Sequence, residues 1–194
     1  STQIGLASSI GLDHLPTSPH PRVVILSAGP DLVEPGLKLK DDEEFETNSW
    51  LLTTAVREVG AIGYRVHSIP DDEEELLGVI EDQLVRADLI VISGERNDDS
   101  FDLITRTLSG LGDIKTVEVA IEASGRHNFG TIGPDNTPVV TLPGDPIAAY
   151  ISFELFVRPM IRTMLGAATI HRPSVKAILE KPVEIHEYRV ISFV

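Results

Sequence analysis

Residues 88–93 read DLIVIS, and residues 22–27 read RVVILS. Both runs are short, nearly all apolar and partly β-branched, which is typical of strands that are buried on both faces. Residues 50–59 show a helical spacing of apolar side chains instead, and Gly60 follows them as a stop signal. Strands that alternate with helices predict βαβ units, and therefore a mostly parallel sheet covered by helices on both faces.

The rest of the chain extends this pattern in both directions. We expect further strands at 64–69, 116–121, 127–132 and 138–142, and further helices that begin near Pro70 and span 101–111 and 146–165. Residues 133–136 read GPDN, a turn sequence that predicts antiparallel pairing of the strands on either side. Thr47, Asn48 and Ser49 offer side chains that can cap the helix after them. The predicted fold class is α/β, a three-layer sandwich with a mostly parallel sheet.

The pattern of the chain changes near residue 169, and this divides it into three parts. Residues 1–20 are expected to form a leading segment or linker, and 21–168 hold the α/β domain. Residues 169–194 are expected to begin a small C-terminal all-β domain, because helical spacing gives way to short strand-like runs. The acidic run 40–46 falls in a loop, where such runs are usually a solvated face.

Charge and composition exclude several classes of partner. The 194 residues include 16 Lys and Arg against 30 Asp and Glu, for a formal net charge of −14. A chain this acidic repels nucleic-acid phosphates and anionic lipid, and no apolar run approaches the roughly 20 residues of a membrane span. We therefore expect neither nucleic acid as a partner nor direct membrane insertion. The chain has no cysteine and no signal peptide in its first 15 residues, so we expect a cytoplasmic protein.

Ligand-binding residues are expected at one edge of the predicted sheet, because open α/β sheets bind ligands beyond the carboxyl ends of their strands. Four loops leave strands at this edge, at 27–31, 93–99, 122–126 and 142–146. Two of them contain the small pairs Ser93-Gly94 and Pro143-Gly144, which let backbone N–H groups approach a phosphate. The same residues also suit ordinary strand-to-helix turns, so both interpretations stay open at this point.

Several short phrases become specific when they are taken together and in order. They are DLVEPG at 31–36, TNS at 47–49, LPG at 142–144, SFE at 152–154 and FVRP at 156–159. Over 21–165 the chain resembles the molybdopterin molybdenumtransferase family, which includes the C-terminal part of gephyrin. The resemblance implies a homodimer and a domain that binds a dithiolene pterin through its phosphate. It also implies insertion of molybdenum from molybdate, with molybdopterin, molybdate and Mg²⁺ as the family's ligands.

The resemblance assigns roles to individual residues of this chain. The implied ligand-binding residues are Gly29, Asn48, Ser49, Ser93, Gly94, Arg126, Pro143, Gly144 and Asp145, and the implied catalytic acids of an active enzyme are Asp31 and Asp102. A lysine of the family falls on Gly125 here, so Arg126 would supply a cation from a displaced position.

The candidate ligand loops depart from the family's pattern in one direction. Glu95, Asp98 and Asp99 stand where the family has a glycine-rich run, and an asparagine of the family becomes Asp145. A carboxylate about 4 Å from a phosphate charge costs roughly 4 kcal/mol at an effective dielectric near 20. These departures predict that the chain binds the pterin poorly.

Three functions remain open from the sequence. We favour a gephyrin-like scaffold with a degenerate pterin site, which binds a peptide of a partner protein such as a cell-division protein or a membrane receptor. The alternatives are an active molybdopterin molybdenumtransferase and a pterin carrier without insertion chemistry. We expect no bound cofactor and no metal, although Glu95, Asp98 and Asp99 are oxygen ligands of the kind that Mg²⁺ prefers. The apolar anchors expected for the partner peptide are Phe156, Met160, Tyr188 and Phe193.

Overall fold

The computed structural model describes residues 2–66, 72–94, 98–121, 125–178 and 180. Its strands are β1 (Arg22–Ser27), β2 (Leu32–Val33), β3 (Glu44–Phe45), β4 (Ile62–Arg65), β5 (Leu89–Ser93), β6 (Gly112–Glu118), β7 (Arg126–Ile132) and β8 (Thr137–Leu142). Its α-helices are α1 (Thr2–Ser9), α2 (Asn48–Val59), α3 (Glu73–Leu84), α4 (Asp98–Leu111), α5 (Pro146–Ser152) and α6 (Arg158–Met164). A π-helical segment, Phe153–Val157, joins the last two helices.

Six of these strands form one mostly parallel sheet in the order β4-β1-β5-β8-β7-β6. The first four run parallel to one another, whereas β7 runs antiparallel to both of its neighbours. The short strands β2 and β3 pair separately. The predicted α/β fold class is confirmed, and the carboxyl ends of β1, β5 and β8 meet at a single edge.

The central strands are apolar throughout because they bury both of their faces. Ile25 of β1 packs on one face of the sheet with Leu52 of α2. The next residue, Leu26, packs on the other face with Ile80 of α3. All four side chains are fully buried, and burial of each such side chain contributes about 1.5–3 kcal/mol. Two cores therefore lie on either side of the sheet, which makes the domain a three-layer structure.

Helix α2 ends where the sequence predicts but begins by a different device. Gly60 has a φ of 103°, the left-handed conformation that commonly ends a helix. At the other end, Thr47 makes no capping hydrogen bond with its side chain. The N–H of Ser49 donates instead to Oε1 of Glu46, at 2.7 Å. The prediction that a side chain of 47–49 caps this helix is wrong, because the longer Glu46 side chain reaches the same donor from outside the helix.

The predicted helix 146–165 is present but contains an irregular turn. In the π-helical segment, the N–H of Arg158 donates to the carbonyl of Phe153, five residues earlier. Pro159 has no N–H to offer to the carbonyl four residues before it, so the regular ladder is interrupted at this point.

Two strands, β6 and β4, begin two or more residues before their predicted starts. β6 begins at Gly112 rather than at 116, because glycine lets its backbone lie directly against β7. A Cβ atom on Gly112 would lie 2.1 Å from the carbonyl oxygen of Thr131. β4 begins at Ile62, and 67–69 of the predicted strand lie outside the described residues.

The first segment holds a helix that the sequence analysis did not assign, α1, in which only Ala7 is buried. Its apolar residues form no stripe along one face, so no periodic signal marks it. Toward the other end, residues 172–178 have no regular secondary structure, and 181–194 lie outside the described part. The C-terminal β-domain therefore stays a prediction. None of the helices described is both long and apolar enough to cross a membrane.

Candidate functional site

A cleft with a volume of about 200 Å³ opens at the carboxyl edge of the sheet. The residues that line it include Ser27, Glu46, Asn48, Ser93, Gly94 and Gly144. This is the edge at which open α/β sheets bind ligands, where loops from several strands converge. Four residues that the resemblance assigns to ligand binding therefore lie around one cleft.

Asn48 joins three elements at the wall of this cleft. Its Nδ2 donates to Oγ of Ser93 at 2.7 Å and to the carbonyl of Gly144 at 2.8 Å. Ser93 in turn donates from Oγ to the carbonyl of Pro143 at 3.1 Å. Only an N–H group can face the Gly144 carbonyl, so the contact determines the orientation of the Asn48 amide. The start of α2, the end of β5 and the loop after β8 are thus held together at the cleft.

Glu46 is the most deeply buried carboxylate of the cleft, with an exposure of 1%. Its Oε1 accepts hydrogen bonds from Oγ of Ser27 and from the N–H of Ser49, both at 2.7 Å. Its Oε2 accepts from Oγ of Ser49. The prediction that run 40–46 is a solvated face is wrong for Glu46. The signal in the sequence was its place just before a helix N-terminus, where a carboxylate is stabilised.

Arg65 pairs with the Glu46 carboxylate from a position outside the cleft lining. Its guanidinium lies 3.5 Å from Oε2 of Glu46, and its Nε donates to Oγ of Ser49 at 2.6 Å. It also donates to Glu34, and its guanidinium lies 4.1 Å from the centre of the Trp50 ring. Nothing in the sequence around Arg65 marks this role, because its partners come from other elements.

Asp145 caps the helix after the cleft instead of projecting freely toward a ligand. Its Oδ1 accepts from the N–H of Ile147 at 3.0 Å and from the N–H of Ala148 at 2.9 Å. Asp145 thereby engages N–H groups that could otherwise bind an anion at the start of α5. The carbonyl of Pro143 accepts a hydrogen bond from Ser93, and Ser49 donates a hydrogen bond to Glu46.

Arg126 and Asp102 lie at the same edge but contact each other. Nη1 of Arg126 donates to Oδ1 of Asp102 at 3.3 Å, and the guanidinium lies 4.4 Å from the centre of the Phe101 ring. The side chains of Arg126 and Asp102 are 39% and 55% exposed. The implied ligand cation and one implied catalytic acid therefore form a partly exposed ion pair outside the cleft lining.

The remaining candidate residues are spread over several places. Asp31 is exposed, and its carbonyl accepts from the N–H of Glu44 where β2 pairs with β3. Gly29 lies in the loop after β1 and is not one of the residues that line the cleft. Asp99 is exposed, whereas Glu95 and the side chain of Asp98 lie outside what the structure describes. Within the described residues, no group of three or more His, Asp or Glu is placed to hold a metal ion.

Two of the expected peptide anchors are partly buried against the domain. Phe156 is half-buried, with its ring centre 5.4 Å from that of His127 and 5.5 Å from that of Phe129. Met160 packs against the core beneath α2. The other two anchors, Tyr188 and Phe193, fall in 181–194 and so lie outside the described residues.

Comparison with known proteins identifies the family. Residues 24–163 match the model of a family described as "Probable molybdopterin binding domain". This match covers well over half of the chain and includes every residue named above as lining the cleft. The chain belongs to this family. The resemblance drawn from the short phrases is confirmed at the level of the molybdopterin-binding domain.

Relatives with longer chains extend the comparison. The chain is 34% identical to molybdopterin molybdenumtransferase 2 of Mycobacterium tuberculosis, over 91% of this chain and 44% of the relative. It is 32% identical to molybdopterin molybdenumtransferase 1 of the same species, over 94% of this chain and 43% of the relative. The crystal structure of a molybdopterin biosynthesis MoeA protein from Pyrococcus horikoshii superposes with a TM-score of 0.73 and 31% identity, over 85% of this chain and 40% of that chain. The chain thus spans less than half the length of these relatives.

Proposed function

We propose that this chain is the ligand-binding domain of a molybdopterin molybdenumtransferase and that molybdopterin enters the cleft lined by Glu46, Asn48, Ser93 and Gly144. The observation that carries the proposal is the hydrogen-bonded junction at Asn48, which holds three separate loops around one opening. The relatives named molybdenumtransferases supply the ligand class. The sequence-based preference for a scaffold gives way here to its alternative.

The cleft suits part of such a ligand. At about 200 Å³ it is smaller than the pockets that enclose whole drug-sized ligands, so it would take one end of the molecule. Gly94 and Gly144 present backbone without side chains, which allows a close approach of phosphate or ring atoms. Ser27, Asn48 and Ser93 supply polar groups already held in position by their own hydrogen bonds.

Two of the four acidic departures, Asp145 and Asp99, are partly offset by their surroundings. The Asp145 carboxylate turns toward the N–H groups of α5. Asp99 is exposed to solvent, where water and salt screen its charge. Asp31 and Asp102 stay the proposed catalytic acids of an active enzyme.

Binding of molybdopterin tests this proposal directly. In calorimetry without added metal, we expect a dissociation constant of about 1 μM or tighter, equivalent to roughly −8 kcal/mol. Asn48→Asp removes the amide donor and places a carboxylate against the Gly144 carbonyl, so we expect affinity to fall at least about tenfold. Asn136→Asp makes the same chemical change in the turn before β8, away from the cleft, and should bind like the unchanged protein. Absence of binding by a correctly folded unchanged protein would contradict the proposal.

A gephyrin-like scaffold is the second candidate, and the carboxylate of Asp145 favours it. This carboxylate occupies the α5 N–H groups and adds negative charge beside the cleft, which disfavours a phosphate there. The two candidates differ in one measurement. A full-length protein containing this domain should restore molybdenum-cofactor formation in a cofactor-deficient strain if it is a transferase. Failure to restore it by a stable protein would favour the scaffold.

A further inference from the structure

Arg65 is outside the cleft, yet it contacts the group that forms the cleft's wall. Its side chain is 13% exposed, and it is not one of the residues that line the opening. Its Nε donates to Oγ of Ser49 at 2.6 Å, and its guanidinium lies 3.5 Å from Oε2 of Glu46. Glu46 itself does line the cleft. A residue behind the site is therefore linked to it by one intervening side chain.

We propose that Arg65 is a positioning residue that holds Glu46 and the start of α2 in place and thereby sets the affinity of the cleft for molybdopterin. This inference rests on the proposed function. Ser49 has a single hydroxyl proton, and the N–H of Arg65 occupies a lone pair of its oxygen. The proton of Ser49 is then directed to Glu46, so Arg65 determines the direction of the hydrogen bond that orients the carboxylate.

Charge gives Arg65 a second effect on an anionic ligand. Glu46 brings a buried negative charge to the wall of the cleft, and Arg65 compensates it from the opposite side. Without Arg65, the cleft would present an uncompensated carboxylate to the phosphate of molybdopterin. We expect this change alone to weaken binding, because opposing a like charge in a partly buried site is costly.

The shape of the arginine side chain matters as well as its charge. Nε of the guanidinium contacts Ser49, Nη2 contacts both Glu46 and Glu34, and the guanidinium lies over Trp50. A lysine ammonium is a single point charge and cannot make all these contacts at once. Lysine at this position should restore the compensation of charge but not the full orientation.

The test compares Arg65→Met with Arg57→Met in two measurements. Arg57 lies on α2, is exposed, and donates to the carbonyl of Gly63 at 3.1 Å, so its loss removes the same charge without touching Glu46. The first measurement is molybdopterin affinity by calorimetry. The second is the ¹H–¹⁵N spectrum of the Asn48 side-chain amide, which reports the cleft wall without any ligand.

We expect Arg65→Met to bind molybdopterin at least about tenfold more weakly and to shift the Asn48 amide resonances, with Arg57→Met unchanged in both. Arg65→Lys should recover part of the affinity. In the Glu46→Gln background, Arg65→Met should add little further loss, because its target is gone. The proposal would be overturned if Arg65→Met weakened molybdopterin binding by the same factor with and without Glu46→Gln. Normal binding by Arg65→Met alone would also overturn it.

Arg65→Met alone could fail to fold, because it leaves the buried Glu46 carboxylate without its cation. The double variant Glu46→Gln, Arg65→Met avoids this cost, and its comparison with Glu46→Gln alone then provides the test. If the unchanged protein binds no molybdopterin, the proposed function fails and the Asn48 resonances alone decide the role of Arg65. A shift in Arg65→Met but not in Arg57→Met then supports the positioning role, and equal spectra overturn it.

Discussion

At the scale of single residues, the buried acid Glu46 and the buried base His127 illustrate how this fold holds polar groups. Glu46 accepts hydrogen bonds from Ser27 and Ser49 and faces a cation, so its burial leaves no charge uncompensated. His127 is fully buried, and its Nδ1 faces the carbonyl of Thr141 at 2.9 Å. Burial lowers the pKa of His127 below its ordinary value, because the charged imidazolium is poorly solvated there.

The lowered pKa of His127 predicts a pH-dependent stability. The unfolded chain takes up a proton on this residue near pH 6.5, whereas the folded chain does so only at lower pH. The free energy of unfolding that depends on neutral His127 is thus fully present above about pH 6.5 and falls as the pH drops toward the lower, folded pKa. We expect His127→Gln to flatten this fall, measured by urea unfolding between about pH 7.5 and pH 5.

His14→Gln is the matched control, because His14 is exposed, with 87% of its side chain accessible. It should keep the pH dependence of the unchanged protein. Parallel curves for His127→Gln and the unchanged protein would contradict the prediction. The loss of ring contacts to Phe129 and Phe156 should lower stability at every pH, so the slope is the informative quantity.

At the scale of elements, α2 places Asn48 at the cleft, and specific residues fix both the start and the end of this helix. Glu46 caps its first turn and Gly60 ends it, so Asn48 is held at the start of a rigid helix. Helix α3 shows the ordinary device instead, with Asp72 accepting from the N–H of Glu75 at 2.8 Å. The difference matters for function, since the cap of α2 is also a wall of the cleft.

Two glycine substitutions should act on helices with opposite signs. Gly60→Ala forces alanine into the left-handed conformation at the end of α2, and we expect a loss of about 1–2 kcal/mol in the free energy of unfolding. The nearest atom to the new Cβ would be 3.5 Å away, so crowding adds little. Gly78→Ala lies within α3, where a Cβ meets nothing within 4 Å, and should stabilise by about 0.5–1 kcal/mol. Urea unfolding measures both changes, and equal signs would contradict the conformational explanation.

At the scale of the whole molecule, the parallel sheet forms the cleft at its carboxyl edge, and the net charge affects how a ligand approaches that edge. The parallel strands bring loops distant in sequence together around the cleft, at the edge where their carboxyl ends meet. The formal charge of −14 surrounds that edge with a negative potential. An anionic ligand must approach against this potential, even though the cleft itself contains compensated groups.

The charge predicts an unusual salt dependence for the proposed ligand. Raising ionic strength from about 10 mM to about 150 mM shortens the Debye length from about 30 Å to about 8 Å. We expect the association rate of molybdopterin to rise about threefold over this range, because screening weakens the repulsion. Replacing exposed Glu73, Glu74 and Glu75 of α3 by glutamine removes three of the acidic charges and should reduce this effect. A rate that falls with salt would contradict it and would indicate that a local cation dominates.

The sequence alone determined the features that depend on local pattern. Apolar runs located β1 and β5, and the turn at 133–136 indicated an antiparallel pair. Gly60 marked the end of a helix. Each of these follows from neighbouring residues: strands buried on both faces are apolar throughout, and glycine adopts the left-handed conformations that turns and helix ends require. The ordered short phrases likewise pointed to the molybdopterin-binding family.

Only the tertiary structure decided which polar groups meet. Asn48 contacts Ser93 and Gly144, which are 45 and 96 positions away in the chain. Arg65 reaches Glu46 from the end of another strand, and so turns one residue of an acidic run into a buried, paired carboxylate. Local sequence carries no signal for such contacts, because strand order and chain direction in the sheet determine which loops share an edge.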